Sequence, residues 1–258
     1  MIHIEKIKRA FGKSAESYDE HGTLQREVSS RLVRDFTPVI NSPKRVLDIG
    51  SGTGFTSKDA VERWPGIKIF PLDIAFPMVK RTRDSGFSKS ITGDASSLPF
   101  PSESFDLVVS SLALQWGSDL EKIFSEINYV LKSDGLFTFS ALIPGTLKEL
   151  RHAYNLASRE CTGVEARFPE FPSLDNVSNA LKTAGLKIIT ATNERVVKSY
   201  PTAVEIMRTL KGIGATNPAR PDNLPRRDVI VKTVDLYPGR NGHVDATYEV
   251  SYISCVKE

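Results

Sequence analysis

The chain has 258 residues, 40% of them hydrophobic and 25% charged, with 34 basic residues against 31 acidic ones for a net charge of +3. That is long enough to bury a full core as one domain with insertions, gives no sign of disorder, and is too weakly basic for a nucleic-acid binder, though a local basic patch fits it. No apolar run approaches the roughly 18 residues of a membrane span, the amino-terminal MIHIEKIKRAFGK has no signal-peptide core, and Cys161 and Cys255 are too few for a disulfide framework. His3, His21, His152 and His243 have no ligand-like spacing, so a cytoplasmic, metal-free protein with neither a nucleic-acid nor a membrane partner is expected.

The first 43 residues read as a helical cap. Ile4, Ile7 and Phe11 suggest a short helix. Leu24, Val28, Leu32 and Phe36 recur every four places, which predicts an amphipathic helix from about Thr23 to Phe36, ended by Pro38 and the Asn41-Ser42-Pro43 turn. Between the two, Ser17-Tyr18-Asp19 sets an aromatic in a polar connection. Two roles are open to Tyr18: a surface ring packed on the domain, or a lid residue whose hydroxyl points into a site.

The stretch Arg45 to Phe55, RVLDIGSGTGF, organises the rest of the chain. Val46, Leu47 and Ile49 form a short apolar run of the kind a buried parallel strand shows, and the chain then breaks into Gly50, Gly52 and Gly54. Glycines at alternate positions let the backbone bend sharply and approach a ligand where a Cβ would collide, and Phe55 to Trp64 can start a helix. The dinucleotide fingerprint would place a third glycine where Phe55 stands, so a nicotinamide cofactor is disfavoured. Ile67, Ile69 and Leu72 make a second strand stopping at Asp73, and a helix through Met78 and Val79 comes next. A carboxylate at that strand end can accept from both hydroxyls of a ribose or cap the next helix.

Ser90 to Thr92 is a short run before Gly93-Asp94-Ala95, where an aspartate could accept from an adenine amine. Phe105 to Leu114 is the most apolar strand of the chain and therefore central, and its end carries Ser110, Ser111, Gln115 and Trp116 into the ligand crevice. Ser118 to Glu121 reads as a capping box, and Leu120, Ile123, Phe124, Ile127, Val130 and Leu131 form one core-facing helical stripe. Gly135 then turns the chain into the strand Leu136 to Ile143. Five such units predict an α/β fold with a doubly wound, mostly parallel sheet binding ligands at the carboxyl ends of its strands. The carboxy-terminal third adds a helix from Asn176 to Ala184 and the β-rich runs Lys187 to Tyr200 and His243 to Val256, expected as an antiparallel pair at one edge. Residues 144–172 and 201–243, the second with a helix around Val204 to Leu210, are long enough to serve as lids.

LDIGSGTG, the acid at Asp73, the Gly93-Asp94 step and the hydrophobic strand before Ser110 together resemble the class I S-adenosylmethionine-dependent methyltransferases, over residues 44–143. The resemblance implies one Rossmann-like domain with a seven-stranded sheet. It gives the glycine loop to the methionine part of the cofactor, Asp73 to the ribose and Asp94 with Ala95 to the adenine. The full cofactor set it implies is Asp48, Gly50, Gly52, Gly54, Asp73, Ile74, Met78, Asp94, Ala95 and Ser110. A cationic sulfonium ligand without pyrophosphate suits nearby carboxylates and needs no phosphate-cradling lysine.

A narrower resemblance covers nearly the whole chain. IKRAFGKSAESYDEHGTLQREV, SSLALQW and LKGIGATN are similar to the malonyl-acyl carrier protein O-methyltransferases of early biotin synthesis. The family's activity is methyl esterification of the free carboxylate of a malonyl thioester, on the carrier protein or on coenzyme A, which masks its charge for fatty-acid elongation. The basic, proline-rich stretch Ala219 to Arg227 departs from the family, so carrier recognition does not transfer with the resemblance. Other class I methyltransferases, acting on a quinone carbon or a small carboxylic acid, would share every cofactor residue and differ in the lids. A carboxyl group with an intrinsic pKa of roughly 4 is already ionised near neutral pH, so no general base is required and catalysis is placement. Arg151 and Arg167, in the first lid, are the candidates to hold the carboxylate, with a plain surface role equally open to each; Tyr18, Gln115 and Trp116 would shape the pocket. Arg208, Lys211, Arg226 and Arg227 concentrate positive charge in the second lid, where an acidic carrier could be steered.

Overall fold

The computed structural model describes residues 4–37, 40, 42–166, 168, 170–215, 226–240 and 242–258. Its strands are β1 Arg45–Ile49, β2 Lys68–Asp73, β3 Ile91–Thr92, β4 Phe105–Ser111, β5 Leu131–Leu142, β6 Leu186–Tyr200, β7 Gly239–Arg240 and β8 His243–Lys257. The helices are α1 Ile4–Ser14, α2 Tyr18–His21, α3 Thr23–Asp35, α4 Phe55–Arg63, α5 Phe76–Asp84, α6 Leu120–Val130, α7 Lys148–Thr162, α8 Leu174–Thr183, α9 Ala203–Gly212 and α10 Arg227–Leu236. The sheet runs β3-β2-β1-β4-β5-β8-β6, seven strands in line, and the two-residue β7 pairs with the start of β8. β1 to β5 are mutually parallel, while β8 lies antiparallel between β5 and β6. This is the Rossmann-like order with the expected antiparallel edge.

Alternation along the central strands builds two cores. Val46, Leu107, Val109 and Leu136 face Val33 of α3 and Ala60 of α4. Leu47, Ile49 and Val108 face the other way, onto Ile123, Phe124 and Ile127 of α6 and Val177 and Leu181 of α8. Both faces of the parallel sheet are therefore covered, and each fully buried Leu, Ile or Phe contributes about 1.5–3 kcal/mol. A third cluster underlies the two segments expected as lids. β6 and β8 run past the end of β5, and on their Val196, Tyr200, Tyr248 and Val250 converge Leu24 and Val28 of α3, Leu150 and Ala153 of α7, and Ile206 of α9. Cap and lids thus share one apolar foundation at the carboxyl edge of the sheet.

Three local expectations are corrected. The strand expected from Phe105 to Leu114 stops at Ser111, because Leu112 takes a left-handed backbone (φ 50°) and Leu114–Trp116 closes into a 3-10 turn. Gly135 does not open the fifth strand: Leu131 already pairs with Phe105, and residues 132–135 bulge out before Leu136 meets Leu107. The capping box at Ser118 is not formed; Asp119 caps α6, accepting the Lys122 backbone NH at 2.9 Å. A carboxylate is the stronger acceptor at the positive end of a helix. Among the described residues, no helix is long and apolar enough to cross a membrane.

Candidate functional site

The site begins where β1 ends. Gly50, Gly52 and Gly54 all adopt left-handed backbone, with φ of 69°, 55° and 97°. Gly50 needs more than freedom of φ: a Cβ there would stand 2.2 Å from the Cβ of Ala113, in the turn after β4. The loop is tied down on three sides. Gly50 and Ser51 donate their backbone NH groups to Leu72 O at 2.7 and 3.0 Å, and Gly52 donates to Asp73 Oδ2 at 2.9 Å. The third tie is the Thr82 hydroxyl of α5, which donates to Gly52 O at 2.7 Å. Nothing in the sequence marks Thr82, since its partner is the loop's backbone, thirty residues away.

Asp73 is buried at the end of β2 and also accepts the Ala75 NH at 2.8 Å through Oδ1. Burial raises its pKa, and the backbone donors of Ala75, Gly52 and Ile74 oppose that rise. Each carboxylate oxygen has a second lone pair, so both can still accept from ligand hydroxyls. Asp48 lies beneath the loop, fully buried, with Oδ2 accepting from Ser57 Oγ at 2.6 Å and Oδ1 unpartnered. Desolvation pushes its pKa up to about 7, with the Ser57 hydrogen bond pulling the other way. At the third strand, Asp94 spends Oδ1 on Ser96, at 2.8 Å to the amide and 2.9 Å to the hydroxyl, and Ala95 packs against the core. Met78 is fully buried in a small cluster with Ala15 and Ala75, against Phe11 and Tyr18, and Ile74 is half-buried beside Asp73. The Ser110 hydroxyl is spent inside the sheet, donating to Ile49 O at 2.8 Å, so it joins β4 to β1 directly under the loop.

The cap closes over this cradle. Tyr18 Cε1 would lie 3.7 Å from a Cβ on Gly52, and the Tyr18 ring centroid is 6.0 Å from that of Phe55. Burial, then the Asp73 and Asp19 carboxylates, push the Tyr18 hydroxyl well above its ordinary pKa, so it stays a proton donor. Phe11 of α1 meets Trp116 edge to face at 5.7 Å. Gln115 is buried; its Nε2 donates to Leu112 O at 2.8 Å, which leaves Oε1 buried without a partner. That orientation follows from the carbonyl, which accepts only from the amide nitrogen.

The first lid places Arg151 on α7, half-buried between Phe168 and Phe171, with ring centroids 5.2 and 5.4 Å from its guanidinium carbon. Burial lowers its pKa, and Glu170 opposes the change. α7 itself is pinned by Leu147, a leucine in left-handed backbone (φ 55°), whose NH donates to Thr247 O at 2.6 Å. Arg167 lies outside the described residues. In the second lid Arg208 pairs with Glu205 and Arg226 with Asp228, whereas Lys211 and Arg227 are exposed and meet no carboxylate at ion-pair distance among the described residues. α10, which carries Arg227, has no counterpart among the elements expected from sequence.

Ser51 Oγ, Thr53 Oγ1, Asp48 Oδ1 and Gln115 Oε1 are buried without a hydrogen-bond partner, and the first three belong to or underlie the loop. Such atoms cost about 1–3 kcal/mol each unless something polar meets them, so their concentration marks this crevice for a polar ligand. A cavity of about 570 Å³ opens elsewhere, between Lys44, Arg63 and Lys68 at the amino ends of β1 and β2. It faces away from the loop and from every group just described. Ligands of open α/β sheets bind at the carboxyl ends of the strands, which makes the glycine crevice, and not this cavity, the candidate site.

The family described as "Methyltransferase domain" matches residues 47–139. A protein of Halorhodospira halophila named malonyl-acyl carrier protein O-methyltransferase is 36% identical over 95% of this chain and 85% of its own. One of the same name from Geobacter sulfurreducens is 33% identical over 98% of each chain. Among solved structures, the YcgJ protein of Bacillus subtilis superposes with a TM-score of 0.60 at 21% identity, over 89% of this chain and 98% of that one.

Proposed function

The chain belongs to the malonyl-acyl carrier protein O-methyltransferase family, and we propose that it methylates the free carboxylate of a malonyl thioester borne by an acyl carrier protein. The cofactor is S-adenosylmethionine, which supplies an electrophilic methyl group on a sulfonium sulfur. The observation that carries the reading is the cradle: a loop of three left-handed glycines, clamped by Asp73 and roofed by Tyr18, with unpartnered buried oxygens at Asp48, Ser51 and Thr53. Oxygen acceptors without a compensating cation suit a positively charged ligand.

In this reading Asp73 accepts the ribose hydroxyls, Asp94 and Ala95 hold the adenine, and Asp48, Gly50, Gly52, Gly54, Ile74, Met78 and Ser110 shape the loop and its floor. The substrate carboxylate is ionised near neutral pH, so the protein's task is to hold it in line with the transferable methyl group. Holding two reactants in such a geometry can supply about 7–11 kcal/mol of the barrier. A guanidinium gripping both oxygens would quench the nucleophile, so one cation and one neutral donor suffice. Arg151 is the cation supported by position and burial, with Arg167 the alternative. Tyr18 is the neutral donor, because Gln115 already donates its amide to Leu112 O, and Trp116 walls the pocket. Of the second-lid cations, Arg208 and Arg226 are spent on Glu205 and Asp228, so any part this lid plays in meeting an acidic carrier would fall chiefly to Lys211 and less to Arg227 beside that pair.

The test is the chemical nature of the product. With a radiolabelled methyl donor and malonyl-carrier protein, a methyl ester releases its label as volatile methanol in mild alkali. Retained label would mean methylation at carbon and overturn the reading.

A further inference from the structure

α1 carries Lys6, Lys8, Arg9 and Lys13 against a single acid, Glu5. Its net charge of +3 equals that of the whole chain. Several cations elsewhere are paired within the fold, as in Arg31–Glu194, Lys132–Asp106, Lys198–Glu27, Arg226–Asp228 and Lys232–Glu160. On α1, Lys8, Arg9 and Lys13 are exposed, and no carboxylate among the described residues pairs with them. The surface continues beyond the helix. Gly12 touches Pro77 at the start of α5, one turn before the exposed Lys80, and Gly214, just past α9 and Lys211, abuts Ala10, Phe11 and Ser14. The same helix reaches the site on its inner side, through Phe11 against Trp116 and through the short link to Tyr18.

We infer that the outer face of α1, with Lys80 and Lys211 on its flanks, is the surface on which the acidic acyl carrier protein docks, an inference that rests on the function proposed above. Unpaired cations act at range and raise association rates, whereas arginines already paired with Glu205 and Asp228 do so far less. Docking here sets the carrier beside the roof of the site, so its prosthetic arm enters past Trp116 and Tyr18. An anionic membrane is the other partner a basic helix could serve. An interfacial helix needs a free apolar face, however, and that of α1 is spent on the domain, with Ile7 and Ser14 buried and Phe11 packed against Met78, Ala75 and Trp116.

The experiment compares wild type with Lys8→Glu/Arg9→Glu/Lys13→Glu and with Arg226→Glu/Arg227→Glu, using malonyl-carrier protein and the malonyl thioester of N-acetylcysteamine, which carries no phosphate. Calorimetric cofactor affinity and circular dichroism establish that each variant is folded. The α1 variant should lose about tenfold or more in kcat/KM with the carrier at low salt, less as salt rises, and under about twofold with the small thioester. The α10 variant should lose less with the carrier than the α1 variant. Equal carrier turnover by the α1 variant and wild type, or a larger loss in the α10 variant, overturns the docking surface. So does a loss of sedimentation with anionic phosphatidylserine vesicles in the α1 variant while carrier turnover is kept. Absence of turnover by wild type on either thioester overturns the proposed function itself.

Discussion

The carboxylate of Asp73 accepts the backbone NH of Gly52 at 2.9 Å. One acid thereby joins the end of β2 to the middle of the glycine loop, so the group assigned to the ribose also holds the loop in shape for it. Asp73→Ala should weaken S-adenosylmethionine binding at least tenfold, since a charged hydrogen-bond acceptor is worth about 1.5–3 kcal/mol. Titration calorimetry measures this, and unchanged affinity would remove the assignment.

Gly52→Val should abolish cofactor binding while leaving a folded protein. The residue sits at φ 55° with the Tyr18 ring 3.7 Å from where a Cβ would stand, so a β-branched side chain meets backbone strain and the crevice roof together. Calorimetry and near-ultraviolet circular dichroism separate loss of binding from loss of fold.

A stability comparison isolates steric from conformational need. Gly66 (φ 88°) has open space around a built Cβ, whereas Gly50 (φ 69°) would set one 2.2 Å from Ala113. Gly66→Ala should cost only the left-handed penalty of about 1–2 kcal/mol, and Gly50→Ala should cost a further ~1–3 kcal/mol for overpacking. Chemical denaturation of both variants checks the difference, and equal losses would mean that Ala113 gives way.

Asp48 makes a pH prediction. Its folded pKa of about 7 lies above the ordinary aspartate value of 3.8. The folded state therefore binds a proton that the unfolded state has already lost between those values. Stability from this group is full below the unfolded pKa and is lost as pH rises toward 7, by an amount on the order of a few kcal/mol. Asp48→Asn should remove that slope between pH 4 and 7. Melting temperatures across this range test it, and parallel curves for the two proteins would show that Asp48 does not titrate there.

Arg151→Ala should lower kcat/KM for the malonyl thioester by about 2–5 kcal/mol while cofactor affinity is kept, because it leaves a desolvated carboxylate without its cation. Arg151→Lys should recover only part, since an ammonium neither stacks between Phe168 and Phe171 nor presents the same fork. Wild-type kinetics in Arg151→Ala would move the grip elsewhere.

Much of the fold and of the cofactor crevice is legible in the sequence because it depends on periodicity and local chemistry. Val46 to Ile49, the three glycines and Asp73 mark strand ends and turns by residue type, and the stripe from Leu120 marks α6, although its last member, Leu131, opens β5 instead. The features that escape a sequence reading depend on partners distant in the chain. Thr82 holds the loop through a backbone carbonyl, which no residue pattern announces. Leu112 and Leu147 are leucines in left-handed backbone, imposed by the packing of the turns after β4 and β5. At Ser118 two adjacent cap residues compete, and the aspartate wins. The charge of the second lid is visible as composition, but its partial cancellation by Glu205 and Asp228 emerges only in the folded chain, as does the exposure of Lys8, Arg9 and Lys13 on α1.

The central claim is tested most directly by intact-protein mass spectrometry of carrier protein incubated with the chain and S-adenosylmethionine. One methyl group should be added to malonyl-loaded carrier and none to acetyl-loaded carrier, whose acyl group has no free carboxylate. Equal methylation of both, or none of the malonyl form by protein that binds the cofactor, would contradict the account.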